Sequence, residues 1–141
     1  MEPLDRGTKI YALLLASITL VLLGYWALGG DPRVEQLNRL LQADAGIAAY
    51  PFPFRVLRMQ GDTAVVSSPR SAEVSVLHAL AILEPSLARL DADDPRVIAA
   101  QKRLARIQAR VRQRLLQAPE VKAVRWELDR AWFRQHGHPL D

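Results

Sequence analysis

The chain has 141 residues, a net charge of +4 and no cysteine, so disulfides, Cys–zinc sites and thiol chemistry are excluded. Most of its 19 basic residues are arginine, whose planar fork suits carboxylate and phosphate contacts. With an apolar leader set aside, residues 31–141 suit one small domain, too short for two nucleotide-binding lobes.

Ile10 to Leu28 reads IYALLLASITLVLLGYWAL and carries no charge. As a helix it spans roughly 28 Å, close to the thickness of a bilayer's hydrocarbon core. Tyr11 at one end, and Tyr25 with Trp26 at the other, mark the two membrane interfaces, where such rings settle. Gly29, Gly30, Asp31 and Pro32 stop the span. A cleaved signal would have a shorter apolar stretch of roughly 7–15 residues, so an uncleaved transmembrane anchor is expected over residues 1–30. Arg6 and Lys9 before the span nearly balance Arg33 and Arg39 beyond it. The short leader is expected to stay in the cytoplasm, with the domain on the periplasmic side of a bacterial inner membrane.

Asp31-Pro32 starts a helix by capping, and Val34, Leu37, Leu40 and Leu41 share its apolar face until Gly46, Pro51 and Pro53 end the pattern. Phe54 to Met59 alternates, with Phe54, Val56 and Arg58 on one side. Gln60-Gly61-Asp62 turns the chain, and Thr63 to Ser67 continues as the second strand of a β-hairpin. Ser68-Pro69-Arg70-Ser71 closes the hairpin and caps a helix from about Ala72 to Leu83, burying Val74, Leu77, Leu80 and Ala81.

Pro95 to Gln117 gives the clearest helical period, through Val97, Ala100, Leu104, Ile107, Val111 and Leu115. Ile98, Ala105, Ala109 and Leu116 form a second apolar strip. Arg96, Arg103, Arg106, Arg110 and Arg114 fall within an arc of roughly 80°. That spacing predicts a helix buried on two sides with an exposed arginine stripe on a third, a candidate anion or partner surface. Only acids from other elements, such as Glu73, Glu84 or Glu127, could neutralise it. Val121 to Asp129 fits strand or helix; a strand to Leu128 is preferred, followed by a short helix to Gln135. The expected fold class is α+β: an N-terminal transmembrane helix, then a short antiparallel sheet (the hairpin plus one strand) covered by helices.

Chemistry is sparse. No glycine lies between Gly61 and Gly137, which argues against a nucleotide-binding loop there. Walker, GxSxG, SxxK and HExxH motifs are absent. His136 and His138 lack a third ligand in sequence, His78 sits among apolar residues, and Asp91, Asp93 and Asp94 are explained by helix capping. No catalytic residue, cofactor or metal is therefore expected. Trp126, Trp132 and Phe133 read as core or docking surface, and nucleic-acid binding is not expected.

Four segments, Ser67-Ser68-Pro69-Arg70-Ser71, Ile82 to Leu87, Ala99-Ala100-Gln101 and Val124 to Asp129, together resemble a group of small single-pass membrane proteins of gammaproteobacteria. Some members carry the label glutamate–ammonia-ligase adenylyltransferase. The resemblance covers most of the soluble domain and implies a bacterial inner-membrane setting. The large enzyme of that name is similar to nucleotidyltransferases that need a Gly-Ser loop and spaced metal-binding aspartates. This chain has neither, so no catalytic residue carries over. The expectation is a membrane-anchored, non-enzymatic interaction or accessory module with the lipid bilayer and a membrane or envelope protein as partners. The alternatives are a nucleotidyltransferase-type enzyme, or an anion- or lipid-binding module acting through the arginine stripe.

Overall fold

A computed structural model describes residues 5–28 and 31–140, with the side chains of 26–28 outside the description. The chain forms two compact units, residues 1–32 and 33–141.

The first unit contains one helix, α1 (Arg6–Leu28), long and apolar enough to cross a membrane. Its large apolar side chains are exposed on every side, with Leu13 at 72% and Leu20 at 69%. A helix that is apolar all round has no polar face to give to water. The hydroxyls in its middle are already satisfied, since Ser17 Oγ donates to Leu13 O and Thr19 Oγ1 to Leu15 O, each at 2.9 Å. Tyr11 and Tyr25 lie exposed near its two ends. The Trp26 side chain, and Gly29 and Gly30 beyond it, fall outside the described residues.

The second unit is α+β. In chain order it comprises α2 (Pro32–Ala43), α3 (Ala45–Ala48), β1 (Val56–Gln60), β2 (Thr63–Ser68), α4 (Val76–Leu83), a 3₁₀ turn (Pro85–Leu87), α5 (Pro95–Leu116), β3 (Ala123–Leu128) and α6 (Arg130–Gln135). Gly61 and Asp62 alone separate β1 from β2, and Gly61 takes φ +62° while Asp62 does not turn positive. A first turn position with positive φ suits the right-handed strand twist, and only glycine adopts it freely.

The sheet is mixed, in order β1-β2-β3, which corrects the all-antiparallel expectation. β3 runs parallel to β2, from Thr63↔Ala123 to Ser68↔Leu128. The reason lies in the crossover. The chain leaves β2 at Ser68, and α5, about 33 Å long, carries it back to the hairpin tip. There the Lys122 N–H bonds Asp62 O at 2.8 Å, and the strand must then run in the direction of β2.

A second correction concerns β1. The register shifts between Val56 and Arg58, with Leu57 as the extra residue. Val56 and Met59 therefore share the core side opposite Val66 and Ala64, while Arg58 faces the other side opposite Val65. On that outer side Arg58 clamps Glu127 at 2.8 and 2.9 Å across the intervening strand, over a fully buried Val65.

The core lies between the inner sheet face and the helices. Leu37, Leu41, Leu80, Leu104, Val111 and Leu115 are almost completely buried. Phe52 packs edge-on against Phe54 and Trp132, with ring centroids 4.9 and 5.1 Å apart. α4 starts later than the expected Ala72, because Ser75 caps it, accepting the His78 N–H at 3.2 Å. Ser71 instead accepts the Glu73 and Val74 N–H groups of a local turn. Leu77 is consequently exposed, while Ala79 and Leu80 take the core. α5 is buried on one side rather than two: Ile98, Ala105, Ala109 and Leu116 all face solvent.

Candidate docking surface

The arginine stripe on α5 does not form one uniform surface. Arg96 folds back on Asp94, the helix cap, at 3.1 Å, and Arg103 reaches Glu84 at 3.1 Å. Glu73 and Glu127 are engaged elsewhere, with Arg130 and Arg58. Arg110 holds Asp44 through Nε at 2.9 and 3.0 Å, and Arg114 Nε lies 3.8 Å from the same carboxylate. Arg106 has no ion pair among the described residues.

Asp44 was not legible as a site from the sequence. Its buried carboxylate also accepts the Gly46 and Ile47 N–H groups, capping α3. The Arg110 hydrogen bond, aided by these backbone donors, outweighs desolvation and holds its pKa below the usual carboxylate value. Arg110 thus ties α3 to α5. Asp94 is lowered by its Arg96 bond and Glu127 by its Arg58 bond.

The two sheet edges are unlike. At β1, Asn38 of α2 presents its amide as a substitute strand. Its Oδ1 accepts the Val56 N–H at 2.7 Å and its Nδ2 donates to Val56 O at 3.1 Å. Arg33 adds a bond to Gly61 O at 3.1 Å. At β3, the bonds from Ala123 N to Asp62 O and from Asp129 N to Ser68 O set the odd-numbered residues toward β2. The N–H and C=O groups of Val124, Trp126 and Leu128 therefore turn outward. No backbone bond to them from another element occurs among the described residues.

Beside β3 lies a cleft of about 480 Å³, lined by Ser68, Arg70, Ala105, Ala109, Arg112 and Trp126. Its floor carries a closed polar network. Gln108, buried on α5, donates from Nε2 to Ser68 Oγ at 3.1 Å and accepts the Arg70 Nε–H at 2.7 Å. Ser68 Oγ in turn donates to Arg70 O at 2.8 Å. Arg70 is thereby aimed at the cleft, and no carboxylate lines it. A second cavity of about 540 Å³ continues past Trp126 along Glu127, Leu128 and Arg130.

Trp132 and Phe133 belong to the core, whereas Trp126 is half-buried at the cleft. His78 stacks flat on Phe133 and meets His138 edge-on, 5.6 Å between centroids, while His136 bonds Trp132 O. Among the described residues no three His, Asp or Glu side chains gather as a metal site would require. Comparison of the chain with protein-family models, with curated proteins and with solved structures gives no match.

Proposed function

We propose that the chain is a single-pass membrane protein whose 33–141 unit serves as a non-enzymatic docking module of a bacterial inner-membrane or envelope assembly. The observation that carries this is α1: its apolar side chains are exposed around the whole circumference, and the Ser17 and Thr19 hydroxyls in its middle are internally bonded. Lipid is the medium in which such a surface is stable. The short leader before α1 stays in the cytoplasm and the domain faces the periplasm.

The lack of cysteine makes the test clean. Ser86→Cys, on an exposed turn, introduces one thiol. In intact spheroplasts a membrane-impermeant maleimide should label it, and the protein should stay in the membrane pellet after alkaline carbonate washing. Extraction by carbonate removes the anchor, and labelling only after lysis reverses the orientation. For docking, a benzophenone maleimide on Ala109→Cys should give a discrete crosslinked adduct in native membranes; absence of any adduct refutes the docking role.

A further inference from the structure

The open edge of β3 and the cleft beside it are parts of one surface. Three observations bear on its occupant. First, Val124, Trp126 and Leu128 offer outward N–H and C=O pairs along the edge, while at the opposite edge Asn38 already occupies both backbone groups of Val56. A folded protein that shields one edge and leaves the other open has a place for a strand to add. Second, the same three side chains are half-buried on the helix side of the sheet, beside the exposed small residues Ala105 and Ala109 of α5. A strand added here would drop every second side chain toward an apolar slot. Third, the surroundings are cationic. Arg112, Arg125 and Lys122 are exposed and form no ion pair among the described residues, and Arg70 is held toward the cleft by the neutral Gln108. The neighbouring acids Glu73 and Glu127 are already paired with arginines.

We infer that β3 binds an extended acidic segment of a partner protein by strand addition, with apolar residues facing the α5 cleft and acidic residues alternating with them. Backbone bonds to Val124, Trp126 and Leu128 supply the register, and Arg125, which shares the face of Val65 away from α5, supplies the charge preference for the acidic residues. A second copy of this chain is the poorer occupant, because pairing two β3 edges brings the same uncompensated cations together. This inference rests on the docking reading above and names the kind of partner.

The probe is a fluorescein-labelled peptide alternating Glu and Val, titrated by anisotropy against the full chain in detergent micelles. It should bind, and binding should weaken as salt rises, since the charges are exposed. Methylating the peptide's alternate backbone nitrogens on the bonding side should weaken it at least about tenfold, the loss expected from one or more hydrogen bonds. Methylation on the opposite side should not. Arg125→Glu should shift the preference toward a peptide alternating Lys and Val. Val124→Pro removes only an outward N–H, a change edge strands tolerate, so it should spare the melting temperature and abolish binding.

Equal binding of both methylated forms overturns strand addition. No binding up to about 1 mM, a free energy near −4 kcal/mol, overturns the peptide class. A dimer in the free chain that Val124→Pro dissociates makes the second copy the occupant and also overturns it. Should Val124→Pro unfold the domain, the methylated peptides decide alone. A peptide failure with persisting Ala109→Cys crosslinks in membranes sinks this inference and leaves the docking reading standing; loss of the crosslinks sinks the docking reading itself.

Discussion

Asn38→Ala is the substitution most informative about how the sheet is held. The side chain bonds both backbone groups of Val56, at 2.7 and 3.1 Å, and Val56 is only 2% exposed. Alanine leaves one buried donor and one buried acceptor without partners. Each such loss costs about 1–3 kcal/mol. Asn38 itself is half-buried, so water gains some access to the site, and a total of about 2–4 kcal/mol is expected. For a domain of this size each kcal/mol lowers the melting temperature by roughly 4 °C, giving a drop of about 8–16 °C. Asn38→Asp keeps an acceptor for the Val56 N–H but sets a carboxylate against the Val56 carbonyl, so it should lose stability as well. The assay is thermal unfolding of the full chain in detergent, followed by near-UV circular dichroism of the core tryptophan. A melting temperature for Asn38→Ala within about 2 °C of the parent, under about 0.5 kcal/mol, would refute the edge-closing role.

Asp44→Asn should destabilise the domain at neutral pH. Because the folded pKa of Asp44 lies below its ordinary value of 3.8, the carboxylate's contribution is fully present above that value and fades as pH falls through the folded pKa. The gap in melting temperature between parent and Asp44→Asn should therefore close on acidification; a gap constant down to pH about 2 contradicts the Arg110 pairing. Gly61→Ala meets no steric neighbour, so its cost is the positive φ alone, about 1–2 kcal/mol in a denaturant titration. Arg106→Gln should leave thermal stability unchanged, whereas Arg110→Gln should lower it; equal effects would mean the stripe acts as one unit. Leu104→Ala, at a fully buried position in α5, should cost about 2–5 kcal/mol by urea unfolding.

Local signals carried much of this fold. The uncharged run in α1, the Gly61 turn, the Asp94-Pro95 start of α5 and the alternation of β3 are each written in neighbouring residues, and each element forms where they point. What was not legible depends on partners distant in sequence. The direction of β3 is set by where α5 delivers the chain, not by its alternation, which reads the same in either sense. The phase of β1 slips at Leu57, one residue that no pattern marks. Ile98, Ala105, Ala109 and Leu116 repeat at helical spacing, yet helical spacing says only that they share a face, and nothing packs there to bury it. Of the stripe, the pairing of Arg103 with Glu84 was foreseeable as a possibility. Asp44 before Ala45-Gly46 carries a local capping signal, but its pairing with Arg110 on a distant helix leaves none. Asn38 left no trace, because an asparagine on a helix does not announce that it will serve as a strand.

The parallel pairing of β2 with β3 also has a consequence in time. The middle strand of the sheet cannot gain its second neighbour until Ala123–Leu128 has been made, long after β1 and β2 themselves. Contacts so far apart in sequence form late, after the loop between them has been closed. A nascent chain would thus carry only the two-stranded hairpin until β3 is made. Were the domain exported as proposed above, that delay would keep the polypeptide threadable until its third strand emerges and locks the sheet.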